Sequence, residues 1–269
     1  MKRALLLLAL GGVCLSASAC GGAVALDPVA SAATKTSKVE SEKFHIDMTE
    51  TLGKGGPLQV SADGVADNAT HSLQMTMDLS SIAKLSGSQF GTADQWKADL
   101  QLDGTVMYMR LPVLSQVLPG AKPWLKLDLQ TLGSKAGVNF SQILQQAESQ
   151  DPTQALQMLE SVGDVQKVGT AQVGGVDTTE YSGTIDPQKV IAKFPGTGLE
   201  KYSKQLGTQQ IPVQVWIGGD GLVRKLHESF AVGASSLDMT FSLSDFGTPV
   251  TVTPPPADQV TDLSNYKVH

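Results

Sequence analysis

The chain has 269 residues, 41% of them hydrophobic, with 20 Lys and Arg against 26 Asp and Glu and a formal net charge of −6. The hydrophobic fraction is that of an ordinary globular protein. A net acidic chain without a basic cluster argues against a nucleic-acid partner, and beyond the N-terminus no apolar run approaches the ~20 residues of a membrane-spanning helix.

Lys2 and Arg3 form a short positive start, Ala4 to Leu10 an unbroken apolar run, and Ser16, Ala17, Ser18 and Ala19 a small-residue stretch ahead of Cys20. That is the layout of a secretory signal. A cysteine directly after small residues is the lipobox pattern of bacterial lipoproteins. The peptidase needs small side chains before the cut, and the cysteine sulfur accepts the diacylglyceryl group. Ala17 stands where Leu is more usual, and Cys14 fits less well because bulky Val13 precedes it. The competing reading is an ordinary secretory signal with an incidental cysteine. Cysteine usage favours lipidation: cleavage removes Cys14 and leaves Cys20 alone, a thiol at hazard in an oxidising exterior unless something occupies it. No disulfide can then form, so the fold must stand on its apolar core. The expected organisation is a signal peptide over 1–19, the lipidated cysteine and a short tether over 20–26, and a single domain with a proline-rich tail over 27–269. The protein is then expected at the cell membrane, lipid-anchored on the extracytoplasmic face, since two acyl chains suffice for stable attachment.

The tether, Gly21 to Leu26, reaches only roughly 20 Å, so the domain begins close to the bilayer. Asp27-Pro28 reads as an N-cap with proline at the first helical position, predicting a helix to about Lys38. Alternation then sets in. Phe44, Ile46 and Met48 share one face; so do Leu73, Met75, Met77 and Leu79; Trp96, Ala98, Leu100 and Leu102; Met107, Met109 and Leu111; and Leu125, Leu127 and Leu129. Period-two patterning marks strands with one buried face, and Asp103-Gly104 marks a tight hairpin. A weaker strand is expected at about 57–66. From Ser141 to Ser161 apolar residues fall at helical spacing, predicting two short helices split by Asp151-Pro152. Strands resume at 162–173 and 176–185 around Gly174-Gly175, followed by short helices from Asp186-Pro187 and over 198–206. Ile211, Val213, Val215 and Ile217 lead through Gly219-Asp220-Gly221 to a return strand, and Leu237, Met239, Phe241 and Leu243 form the last alternating one. Pro254-Pro255-Pro256 excludes a central strand in the tail, which is expected along the surface.

The expected fold class is α+β: a single strongly curved antiparallel sheet of about eleven strands with short helices over its concave face. Residues 211–226, IPVQVWIGGDGLVRKL, together with the tail from Pro254 to Leu263, the lipobox and the opening helix, resemble the LppX/LprAFG family of actinobacterial lipoproteins. The resemblance covers nearly the whole mature chain in element order. It implies an unclosed β-barrel similar to the LolA and LolB carriers, with an apolar cavity between sheet and helices. It further implies an acylated lipid or glycolipid as ligand and a part in moving lipids across the envelope. The family's ligand contacts are mostly apolar and form no fixed motif, so no binding residue is carried over from it.

The sequence offers its own cavity candidates. Met48, Met75, Met77, Met107, Met109 and Met239 fall on apolar strand faces, and methionine adapts to ligands of variable shape. Phe44, Ile46, Leu73, Leu79, Trp96, Leu100, Val213, Val215, Leu237 and Phe241 share those faces. The alternative is a plain packed core in which methionine fills gaps, as in a surface interaction or sensor lipoprotein without a lipid ligand. Arg110 lies opposite the methionines in phase, which favours a surface charge over a head-group contact; Trp124 and Trp216 also fall on polar phases. His45, His71, His227 and His269 are scattered without metal-ligand spacing, and no Gly-x-Ser-x-Gly elbow or phosphate loop is present. No catalytic residue, metal or cofactor is expected, and the protein is read as a monomer and not as an enzyme. Its partners would be the membrane through the anchor, an acylated lipid or glycolipid, and an export pump or other envelope protein.

Overall fold

The alternating segments pair into one sheet. The computed structural model describes residues 28–51, 56–85, 91–116, 118, 120–131, 162–193, 210–232 and 235–263; the lipobox with Cys20, and the helices expected at 141–161 and 198–206, lie outside the described residues. The strands are β1 (Ser41–Thr51), β2 (Pro57–Asp67), β3 (Ser72–Asp78), β4 (Lys97–Asp103), β5 (Val106–Arg110), β6 (Trp124–Asp128), β7 (Val162–Val173), β8 (Val176–Ile185), β9 (Ile211–Gly218), β10 (Val223–Val232), β11 (Ser235–Ser244) and β12 (Val260–Asp262). Their order is β12-β6-β5-β4-β3-β2-β1-β11-β10-β9-β8-β7. β12 and β7 are the two edges, so the sheet is not closed.

Two antiparallel meanders, β1 to β6 and β7 to β11, make up the sheet, and the β1–β11 pairing joins them, with Ile46 opposite Phe241 and Met48 opposite Met239. Tight turns set the local registers. In the β7–β8 hairpin Gly174 and Gly175 both take positive φ, 57° and 79°, the conformation a two-residue turn between twisted strands requires. Register shifts interrupt β7–β8 and β9–β10, and such irregularities bend a sheet and deepen its twist.

The tail departs from expectation in one respect. After Pro254-Pro255-Pro256 the chain forms β12, which pairs with β6 in parallel, Val260 opposite Trp124. The prolines stand before the strand and β12 is an edge, so the missing donors cost no ladder bonds. This strand makes the count twelve.

Helix α1 (Pro28–Thr36) begins at the predicted proline and turns Val29, Ala32 and Ala33 inward. Val29 and Ala32 form a core with Val213, Val215, Ile217 and Val223 of β9 and β10. Its C-terminal end is tied down: the Val223 amide donates to Thr36 Oγ1 at 2.9 Å, and Lys35 Nζ donates to the Asp220 carbonyl. Two shorter helices, α2 (Ser80–Leu85) and α3 (Pro187–Lys193), follow β3 and β8. α3 starts at the expected Asp186-Pro187, whereas α2 carries no proline or periodic signal.

Candidate functional site

The strand registers carry the apolar phases from one strand to the next. One row runs Leu125, Met109, Leu100, Met75, Gly64, Phe44, Leu243 from β6 to β11. The next runs Ala98, Met77, Ala62, Ile46, Phe241, Leu226, Val215, Tyr181 from β4 to β8. Leu127, Met107, Leu102 and Leu73 make a third, and Met48, Met239 and Val213 belong to a fourth that includes Glu228. Leu237 lies opposite Glu50 and Phe230. Every candidate residue within a strand therefore lies on one face. Leu79 and Trp96 stand just beyond the strands. The Leu79 amide donates to the Trp96 carbonyl at 2.9 Å, extending the β3–β4 ladder by one pair.

The two ends of this face differ. Under α1 it is packed shut, with Val213 and Val215 each 1% exposed. From β11 through β6 the small residues Ala62 and Ala98 are buried, yet Met48, Met75, Met77, Met107, Met109, Met239, Leu73 and Leu100 are only half-buried. Phe44 is the large exception at 7% exposed: it stacks on Phe241 with ring centroids 6.0 Å apart and lies directly over Gly64. A Cβ on Gly64 would meet the Phe44 ring edge and come within 2.8 Å of Met75 Cβ. Glycine there lets the aromatic ring settle onto the sheet.

Carboxyl groups occur on this apolar face, a feature the sequence reading missed. Glu228 lies between Met239 and Val213, and Glu42 lies opposite Ala66. Burial pushes both carboxyls above the ordinary glutamate range; nearby His227 partly offsets this for Glu228, and a hydrogen bond from Asn68 does so for Glu42. The signal was present in the sequence, because Glu228 stands in phase with Leu226 and Phe230.

The opposite face is polar and paired. His45 sits between Asp63 at 2.7 Å and Asp47 at 3.0 Å. The hydrogen bond to Asp63 raises its pKa; desolvation opposes this, and the hydrogen bond to Asp47 and the charge of both carboxylates add to the rise. Arg110 Nε donates to Asp99 at 2.8 Å, and its guanidinium lies 5.3 Å from the Trp124 ring centre. Arg110 is thus a surface charge, as its phase implied. Lys225 covers Trp216 in the same way at 3.8 Å. A groove of about 690 Å³ beside the β7–β8 turn is lined by Lys43, His45, Asp63 and Gly174 and also by Phe44, Gly64, Met75 and Leu243, residues of the first methionine row. Among the described residues no His, Cys, Asp and Glu side chains gather as a metal site, and no helix is long and apolar enough to cross a membrane.

No protein-family model matches the chain. In sequence it is 30% identical over 150 residues to an uncharacterized 31.2 kDa protein of Streptomyces griseus, covering 54% of this chain and 49% of that protein. It is 29% identical over 147 residues to a candidate lipoprotein of Streptomyces coelicolor, covering 54% and 44%. To LppX of Mycobacterium tuberculosis, named a candidate phthiocerol dimycocerosate transporter, it is 29% identical over 116 residues, 43% of each chain. The matched region spans about half the length of these relatives or less. Among solved structures, that of LppX aligns with 84% of this chain and 100% of its own at 18% identity and a TM-score of 0.46. That of LprF from Mycobacterium bovis aligns with 85% and 95% at 16% identity and a TM-score of 0.46. In sequence the chain is thus similar to LppX, a member of the LppX/LprAFG lipoproteins that its hairpin and tail resemble.

Proposed function

We propose that this protein is a membrane-anchored carrier that holds an acylated lipid or glycolipid against the methionine-rich face of its sheet. The observation that carries the reading is the half-burial of Met48, Met75, Met77, Met107, Met109 and Met239 on one continuous face. Large flexible apolar side chains in a finished core lose nearly all their exposure; these keep some. The name of LppX supports the same direction. Cys20, lipidated, holds the domain on the extracytoplasmic face within reach of the bilayer. Each acyl CH₂ taken from bilayer to apolar face moves between two dry environments, so the ~0.8 kcal/mol it would lose in water is avoided. Transfer is then nearly neutral and reversible, as a carrier needs, and an export pump or other envelope component supplies or receives the cargo.

The test uses the full chain carrying Cys20→Ala. Ala17-Ser18-Ala19 still offers the small-residue site an ordinary signal peptidase cuts, so the variant leaves the membrane fraction and is purified without detergent. Organic extraction and mass spectrometry should find an acyl lipid at close to one per protein. Protein that carries no lipid, and takes none from vesicles, refutes the reading.

A further inference from the structure

Glu228 occupies an unusual place for a carboxyl group. In β10 it shares its face with Leu226 and Phe230, and its cross-strand neighbours are Met239 and Val213, with Met48 beyond Met239. The side chain is half-buried and makes no hydrogen bond or ion pair with a described residue. His227, next in the chain, faces the other way, its Nδ1 3.2 Å from Thr240 Oγ1 and its Nε2 3.7 Å from Asp238.

Among the described residues, the Lys and Arg side chains of the neighbouring strands sit on the other face of the sheet. By register Lys43, Lys97, Arg110, Lys126 and Lys225 belong to the polar side. There Lys43 pairs with Asp245, Arg110 with Asp99 and Lys126 with Asp262. Among the described residues, the face positions of β1 to β6, of β11 and of β10 from Leu226 to Phe230 hold no Lys or Arg. A carboxyl placed on an apolar surface without a partner costs stability, and a Leu in its place would cost none.

We propose that Glu228 is the polar recognition point of the lipid-binding face, selecting acyl lipids with uncharged hydroxyl or ester groups over lipids with an anionic phosphate or carboxylate. The proposal rests on the carrier reading and deepens it. A protonated carboxyl donates one hydrogen bond, to an ester carbonyl or a hydroxyl oxygen, and accepts another from a hydroxyl. Desolvation favours that protonated form. An anionic head group at the same place would be desolvated where the described face positions hold no cation to pair with it, and it would repel Glu228 wherever that carboxyl ionises.

The probes are dioleoylglycerol and dioleoylphosphatidic acid, which share their chains and differ in the phosphate, each offered in phosphatidylcholine vesicles to the secreted Cys20→Ala protein. The unaltered face should take up diacylglycerol in preference by about tenfold, the size that one buried hydrogen bond can carry. Glu228→Leu, which makes that position apolar, should raise the urea midpoint and lose the preference. Glu228→Lys, where it folds, should invert it. Equal preference in the parent and in Glu228→Leu, or a parent preference for phosphatidic acid, overturns the role of Glu228 while leaving the carrier reading in place. Uptake of neither lipid by any of the proteins removes the carrier reading itself, and this one with it.

Discussion

Replacing Met107 by Trp separates a hollow from a filled core with one substitution. Met107 lies opposite Leu102 and Leu127 on the apolar face and is half-buried, well along the sheet from the strands that α1 covers. In a core already at native density the larger ring would force neighbours off their rotamers, at about 1–3 kcal/mol. On a face with space above it the ring extends into that space, and urea denaturation should show a loss below ~1 kcal/mol. The same ring occupies volume that acyl chain would fill. Displacing two to four methylenes at ~0.8 kcal/mol each removes about 2–3 kcal/mol of binding, or roughly 30- to 150-fold in affinity. A fluorescent acyl probe titrated into the Cys20→Ala protein with and without Met107→Trp measures it. A midpoint lowered by the full overpacking cost, with probe binding unchanged, would refute the hollow.

Other expectations follow from the packed end and from the carboxyl. Val215→Ala, at a site 1% exposed beneath α1, should cost about 2 kcal/mol from the lost methyl groups and the cavity left behind, seen in urea melts, with probe binding changed less than by Met107→Trp. Gly64→Val should destabilise the sheet by about 1–3 kcal/mol or more, because its side chain would collide with the Phe44 ring and lie against the Gln74 backbone; a near-neutral result would contradict the Phe44 placement. The raised pKa of Glu228 also has a definite sign. Below the ordinary glutamate value of 4.5 both folded and unfolded states hold the proton and nothing is lost. As pH rises from there through the folded pKa, the unfolded state gives up its proton first and stability falls, the loss being complete above the folded value. Glu228→Gln should therefore flatten the decline in stability above pH 4.5 relative to the parent, measured as urea midpoints across the range.

Much of the face could be read from the chain alone. Alternation in 44–48, 73–77 and 107–109 placed the methionines together because side chains of a strand point to opposite sides by backbone geometry, and no distant residue can change that. The turns Gly174-Gly175 and Gly219-Asp220-Gly221 were legible for a similar reason, since their backbone angles are set locally. The same pattern hid Glu228, because a lone charge in phase with Leu226 and Phe230 reads as noise until its cross-strand neighbours are known. Leu79 and Trp96 continue the phase of their segments and yet fall outside the strands, because α2 and a 3-10 turn take over the chain between them.

What the sequence determined by itself is the set of residues facing one way, the hairpins and the start of α1, all written in neighbours a few positions apart. Tertiary structure decided the rest. It joined β1 to β11 across nearly the whole chain, laid α1 over β9 and β10, and seated β12 beside β6. Those outcomes depend on which apolar surfaces meet once every strand is placed. That is a property of the assembled volume, and no window of the sequence contains it.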